Sequence, residues 1–418
     1  MTFRFLHIAD LHLDSAYGGS PPTVERLRSA TKEALSRAVA FAIDETLDAV
    51  LIAGDAFDEE RLGFEARAAF RRELERLSEH GITVVYITGN HDPGAAAGRA
   101  AGLRLARSIG SPGRAPIHVV LDGTPRLLHL RSRGGDEAAE VIAVGHATSR
   151  VTDNLARAMR ETLDADAGAR RLPRIGLLHT QVGSAAGAEG HEPYAPCTAS
   201  DLMACDLDYW ALGHVHIRGQ VDPAVPAYYA GNLQGRNARE SGPKGGWLVE
   251  LDTDGLTHEP EFIPFAPVEF FRCEGEPSKD DEPEDLAGVI AAALDEAASL
   301  GHAPAARELI VRLDVTGHGG RWPDGFAEAV RDELQRLSGP VFGDFLEVQL
   351  RAARGGKPST LEALKTLEEL RAMIEGTPSA LREALAVCRA LDAKSAESRE
   401  PAELEDALLQ RLAARTRS

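Results

Sequence analysis

Cysteine is scarce. The 418 residues hold four, Cys197, Cys205, Cys273 and Cys388, with no CxxC pair among them. That scatter excludes a thiolate zinc site and a disulfide framework, and reduced thiols in a cytoplasmic protein are the expectation. No apolar run approaches the roughly 18 residues a membrane helix needs. The opening Met1-Thr2-Phe3-Arg4-Phe5 enters a strand-like pattern rather than a basic region followed by a long apolar stretch, so no secretory signal is expected. Internal repeats and low-complexity tracts are missing too. So is any plain basic run: the formal net charge is -19. That acidity counts against a protein that coats nucleic acid by charge alone. It leaves room for an enzyme whose carboxylates hold divalent cations that face phosphates. What is present, 43% hydrophobic and 27% charged residues, is ordinary for a folded chain. Its length suggests about two or three domains.

Over residues 1–267 apolar runs alternate with amphipathic stretches. Phe3–Ala9, Ala49–Ala53 and Thr83–Thr88 read as buried strands. Thr23–Leu47 carries Leu27, Ala34, Leu35, Ala38 and Phe41 at helical spacing, and Arg61–His80 is a second helix stopped by Gly81. This alternation argues for an α/β layered domain. Further strands are expected at 118–121, 126–130, 141–144, 174–178, 209–212, 227–230, 246–251 and 261–264. Their density suggests a β-sandwich flanked by helices. An acidic, proline-containing stretch at 274–286 reads as a loop or linker. Around it, strands at 268–273, 308–315 and 345–350 and helices at 286–300 and 325–337 outline a small α+β domain over 268–355. Residues 356–418 form a helical segment. Ser359 and Glu362 make a capping box, and Leu361, Leu364, Leu367, Leu370 and Ile374 recur at helical spacing. These helices either pack on the body or dock on a partner coiled coil.

Five polar motifs each follow an apolar run: Asp10-Leu11-His12, Gly54-Asp55-Ala56-Phe57-Asp58, Gly89-Asn90-His91-Asp92, His179 after Gly176-Leu177-Leu178, and Gly213-His214-Val215-His216. Each alone has a bland reading, such as a turn or a chance pair. All five in this order, each at a strand end, point to one site, because ligands of open α/β sheets gather at the carboxyl ends of strands. Carboxylate, imidazole and amide oxygen suit Mn, Fe, Zn or Mg rather than thiol-loving metals. Two such ions clamp the attacking and leaving oxygens of a phosphoryl displacement. Residues two apart in a strand face the same way, which would bring Asp10 with His12 and His214 with His216 into one pocket. His7 reads as a satisfied core residue and His80 as a partner of helix-end carbonyls. His118, His129, His146, His258, His302 and His318 have no partner motif. Arg236, after the turn-rich Gly231-Asn232-Leu233-Gln234-Gly235, is either a bidentate phosphate ligand or a surface arginine. The loop 183–196 is either a lid or a connector.

These motifs, with Tyr194-Ala195-Pro196-Cys197 and Tyr229-Ala230-Gly231-Asn232, resemble the calcineurin-like metallophosphoesterase superfamily over about residues 1–270. The nearest likeness is to its DNA-repair exonuclease branch, the SbcD-type nucleases and their YhaO-type relatives. The resemblance implies a mixed α/β fold with a β-sandwich flanked by helices, followed by a small capping domain and a helical partner-binding segment. It implies two divalent ions, Mn above all. Asp10, His12, Asp55 and His216 would hold one, and Asp55, Asn90, His179 and His214 the other. His91 would act at the leaving oxygen, oriented by Asp58, with Arg236 and Asn232 toward substrate. The implied function is 3′-to-5′ DNA exonuclease in repair, beside an SbcC-type coiled-coil ATPase. The branch also implies homodimers through helices near 61–80 and 98–109. Two rivals stand beside it: a phosphodiesterase for a nucleotide or other small molecule, and a metal-stabilised adaptor without catalysis.

Overall fold

Four apolar runs make the parallel part of a first sheet: β1 (Phe3–Ile8), β2 (Ala49–Ala53), β3 (Thr83–Ile87) and β4 (Ile117–Val120). In the computed structural model the described residues are 2–58, 63–95, 113–166, 172–183, 194–276, 282–315, 322–338, 342 and 344–352. They fall within the compact unit Met1–Ala353. The expected helix at 98–109, most of the 183–196 loop, Cys388 and the whole segment 356–418 lie outside them. Every residue of β2 and β3 is buried, as parallel strands covered on both faces should be. β11 (Gly245–Asp252) adds antiparallel to β1, and carries β12 (Gly255–Leu256) and β13 (Glu261–Pro264).

A second sheet runs β5 (Arg126–Arg131), β6 (Glu137–Val144), β7 (Arg174–His179), β8 (Tyr209–Gly213), β10 (Val225–Tyr229), β9 (Gly219–Asp222). Its central four strands are parallel, and β5 and β9 close the edges antiparallel. Phe3, Phe5, Leu51, Val85 and Ile87 of the first sheet meet Val141, Ile175, Leu177 and Tyr209 of the second in a common core. At about 1.5–3 kcal/mol for each large side chain buried, this seam is what holds the two sheets in register.

Helices cover both outer faces. α1 (Pro21–Asp44) and α2 (Phe64–Glu79) lie on Leu6, Ile8, Val50, Ile52, Val84 and Tyr86. α3 (Leu155–Ala165) and α4 (Ala199–Met203) lie on Ile142, Val144, Leu178, Trp210 and Leu212. α1 starts two residues before the expected Thr23, because Pro21 and Pro22 suit the first helical turn. α2 ends as expected: His80 Nδ1–H donates to the Arg76 carbonyl at 2.8 Å, and Gly81 turns left-handed at φ 78°. His7 is a satisfied core residue, with Nδ1 3.0 Å from the Tyr209 hydroxyl and Nε2 3.2 Å from the Leu212 carbonyl.

A third sheet follows, all parallel, in the order β14 (Val268–Gly275), β15 (Glu308–Val315), β16 (Asp344–Ala352). α5 (Pro283–Ser299) and α6 (Phe326–Ser338) cover one face, burying Leu286, Ile290, Val311, Leu313, Val330 and Leu334. The first of these helices starts three residues before the expected Leu286 because Pro283 opens it and Asp285 accepts from the Glu282 N–H at 2.9 Å. On the other face Val268, Phe270 and Ile310 pack against Leu27 and Ala30 of α1. No helix among the described residues is long and apolar enough to cross a membrane.

Candidate metal centre

The carboxyl ends of β1, β2 and β3 in one sheet, and of β7 and β8 in the other, open onto a single pocket. Asp10, Asp55 and Asn90 come from the first three, and His179, His214 and His216 from the last two. The route by which they converge differs from the one expected. Asp10, His12, Asp55 and His214 are not in extended strand. They sit at φ 50°, 46°, 49° and 102°, in a region non-glycine residues rarely occupy. Tight turns rather than strand alternation aim these side chains inward, and strain of this kind persists where the surroundings over-determine it. Backbone bonds between the turns do so: Asp10 N–H donates to the Gly54 carbonyl and His12 N–H to the Asp55 carbonyl. The His214 N–H donates to both Asp10 carboxylate oxygens at 3.1 Å, and the His91 N–H to Asp55 Oδ1 at 2.9 Å.

The glycines before the ligand residues are there for space. A Cβ on Gly54 would collide with the His179 ring, and one on Gly89 with the Asp55 carboxylate. Asp92, the last residue of its motif, ties two of the turns together. Its carboxylate accepts from Ala56 N–H and Gly89 N–H, both at 2.7 Å, and from the Tyr86 hydroxyl.

Hydrogen bonding on the far side of each ring sets what the near side offers. His179 Nδ1–H donates to the Ala53 carbonyl at 2.9 Å, so Nε2 turns toward Asn90 Oδ1 at 2.9 Å and Asp55 Oδ2 at 3.4 Å. His216 Nδ1 lies 2.9 Å from Glu240 Oε1, and His12 Nδ1 lies 2.8 Å from Asp58 Oδ1. The Glu240 contact, shorter than the 3.2 Å from Arg236 Nη2 to the same atom, favours the proton on His216 Nδ1, and the Asp58 carboxylate beside His12 Nδ1 favours the same tautomer there. Their Nε2 atoms then face each other at 3.1 Å, with Asp10 Oδ1 at 4.0 Å from His12 and 3.8 Å from His216. Two imidazole nitrogens and a carboxylate converge on one point, and the donor set fits a divalent ion at each of two places. Asp10, His12 and His216 come together at one, and Asp10, Asp55 and His179 at the other; His12, Asp58 and His91 form a third such group beside them.

Charge within the pocket follows from burial. Burial and the neighbouring Asp55 push the Asp10 carboxyl up against the pull of His216 and His179. Burial also opposes charge on Asp55, but His179 outweighs it and holds that carboxyl well below the ordinary range. Burial would lower His179, yet Asp55 carries it up to about 9. Burial, with Arg236 nearby, keeps His12 neutral, down at about 3.

Three expected assignments change in detail. His91 meets Asp58 through the backbone, with Nδ1 2.9 Å from the Asp58 carbonyl and 3.5 Å from its Oδ1. The Asp58 carboxylate instead reaches His12 and Arg236, both at 2.8 Å. Arg236 does not turn its guanidinium outward: Nη1 donates to Asp58, and Nη2 lies 3.3 Å from Glu240 Oε1. The anions it faces are the protein's own. Asn232 is 1% exposed, its Nδ2 donating to Glu240 Oε2 at 2.7 Å and the Gln234 carbonyl at 2.8 Å, so it braces the turn. Glu240 carries no motif in the sequence, and His146, which has no partner motif there, is fully buried beside the His179 ring with Nε2 2.8 Å from that residue's carbonyl. His91 is the most open of the group, its side chain 41% exposed.

The family model for calcineurin-like phosphoesterases matches residues 3–218, and the chain belongs to that family of metallophosphoesterases. The chain is similar to the uncharacterized metallophosphoesterase YhaO of Bacillus subtilis, 32% identical over 260 residues, covering 61% of this chain and 59% of that protein. The SbcD component of the nuclease SbcCD, also of Bacillus subtilis, is 27% identical over 226 residues, covering 51% of this chain and 56% of that component. The DNA double-strand break repair protein Mre11 of Methanopyrus kandleri is 25% identical over 283 residues, covering 62% and 56%. The matches thus span between 56% and 59% of the length of these relatives.

Proposed function

We propose that this chain is a two-ion phosphodiesterase acting on DNA ends, a 3′-to-5′ exonuclease used in DNA repair. The observation that carries the reading is the facing pair of His12 and His216 Nε2 atoms beside Asp10, within reach of Asp55 and His179. Asp10, His12, Asp55 and His216 would hold one ion, and Asp55, Asn90, His179 and His214 the other, with Mn favoured over Fe, Zn or Mg for a site of oxygen and imidazole. When bound, the ions supply Lewis acidity and a clamp on the phosphoryl oxygens. The chain's own residues do the rest. His91 is exposed enough to reach a substrate, and its Nδ1–H donates to the Asp58 carbonyl, which turns Nε2 outward; as the imidazolium, with a proton on Nε2 as well, the ring would give that proton to the leaving oxygen as general acid.

The DNA substrate and the repair role rest on the names of the SbcCD and Mre11 relatives, and an SbcC-type ATPase partner on the resemblance to the SbcD-type branch. Homodimer formation, a cytoplasmic location and the division at 267 and 355 belong to the same reading. Manganese-dependent cleavage of DNA by wild type and by Asp55→Ala tests it. Cleavage by wild type that Asp55→Ala lacks is expected, and equal cleavage by both overturns it. The net charge of -19 favours a second reading, a nucleotide or other small phosphodiester as substrate. Faster manganese-dependent turnover of such a diester than of DNA would select it.

A further inference from the structure

Asp58 and Glu240 stand behind the two histidines that face each other across the pocket, and Arg236 stands between those carboxylates. Its Nη1 is 2.8 Å from Asp58 Oδ1, its Nη2 and Nε are 3.3 and 3.4 Å from Glu240 Oε1, and its backbone N–H donates to Glu240 Oε2 at 2.8 Å. Asn232 Nδ2 holds the same Glu240 oxygen at 2.7 Å. Asp58 and Glu240 are separated by 182 residues in the chain, and Arg236 is the residue that brings them together. The turn bearing Arg236 is itself pinned: Gln234 Nε2 donates to the Val268 carbonyl at 2.7 Å, and Gly235 lies against the Phe270 ring, where a Cβ would already be tight.

We infer that Asp58, Glu240 and Arg236 form a single positioning unit that fixes the tautomer and aim of His12 and His216 toward one of the two ions. The proposal rests on the two-ion reading above. None of the three touches a reacting atom. A carboxylate behind a metal-binding imidazole fixes which nitrogen is free, and such partners are worth about 10–100-fold in metal affinity. Arg236 adds two things. It compensates two carboxylates that sit near each other, and its planar fork sets the spacing between them. A lysine could supply the charge without the fork.

Manganese binding by the full-length chain, followed by calorimetry and by the electron paramagnetic resonance of the coupled Mn pair, separates the alternatives. Wild type is expected to bind two ions. Glu240→Gln, nearly isosteric, is expected to weaken one of them about 10–100-fold and leave the other within about twofold. Arg236→Ala should weaken the same ion, and Arg236→Lys should restore part of the loss. Equal weakening of both ions, or no change in either, overturns the positioning unit. So does an Arg236→Ala variant with wild-type manganese constants that has lost inhibition by inorganic phosphate, since that marks Arg236 as a substrate residue. Circular dichroism and urea unfolding in chelator check that each variant folds, and Arg236→Lys carries the test if Glu240→Gln does not. If wild type binds fewer than two ions, the two-ion reading fails instead, a distinguishable result.

Discussion

His179 and His216 look into the same pocket from different strands, yet they are held by different means. His179 is buried on β7 and donates to a backbone carbonyl, that of Ala53 on β2. His216 lies beyond β8, partly exposed, and leans on a carboxylate that Arg236 also holds. A backbone carbonyl inside a sheet cannot be substituted away and has no charge to tune. A carboxylate–arginine bridge can be altered by one replacement and changes the local charge when it is. On the two-ion reading, the position beside His179 (the inner one) is therefore built for rigidity, and the one beside His216 (the outer one) for adjustment.

His179→Ala breaks the comparison at its rigid end and carries the largest expected effect. On the two-ion reading it removes a proposed ligand of the ion beside Asp55, so cleavage should fall well beyond the about 10–100-fold that an outer partner costs. Calorimetry should then find one manganese ion where wild type binds two. His91→Ala should leave both ion constants unchanged and lower turnover by about 10²–10⁴-fold, the usual worth of a general acid. A turnover loss that tracked weaker manganese binding would return His91 to the ligands. Asp92→Ala removes the brace under the β2 and β3 turns. Each buried donor left unpaired costs about 1–3 kcal/mol, read as a lower urea midpoint, and the inner ion should weaken more than the outer.

A smaller effect separates the two positions by protons. His179 is raised from 6.5 to about 9, so between those values the ion-free protein holds a proton that metal must displace. The sign follows: the His179–Asp55 attraction stabilises the ion-free fold fully below pH 6.5 and is lost as pH rises through about 9. Manganese binding at about pH 7.5 should release up to one proton, seen as a buffer-dependent binding enthalpy, and none well above pH 9. His12, already neutral, releases nothing. Proton release that His179→Ala leaves unchanged would contradict this assignment.

Much of this site is legible in the sequence. The pocket histidines and acids each follow an apolar run, and burial on both faces makes such runs easy to recognise. The strands of the sandwich and of the third sheet stand out for the same reason. What escapes is short or solitary. β9 and β12 are four and two residues long, too brief for a period to register. Glu240 is one acid among 65 acidic residues, on a turn with no strand before it. His146 follows an apolar run too, but no second histidine, carboxylate or amide stands within two residues of it to mark it. The partner of the Asp58 carboxylate is unreadable because it depends on which of two neighbouring rings, His12 or His91, presents Nδ1.

The distance along the chain between the two sides of the pocket has a kinetic meaning. Asp10 meets the His214 N–H across 204 residues, and His12 meets His216 across the same interval. Contacts so remote in sequence close late, after the entropy of a very long loop has been overcome. A chain still emerging from synthesis, with β1, β2 and β3 made, has Asp10, Asp55 and Asn90 but no imidazole from β7 or β8. On the two-ion reading, ion capture would then be a final latch, engaging when the second sheet has come to rest on the first.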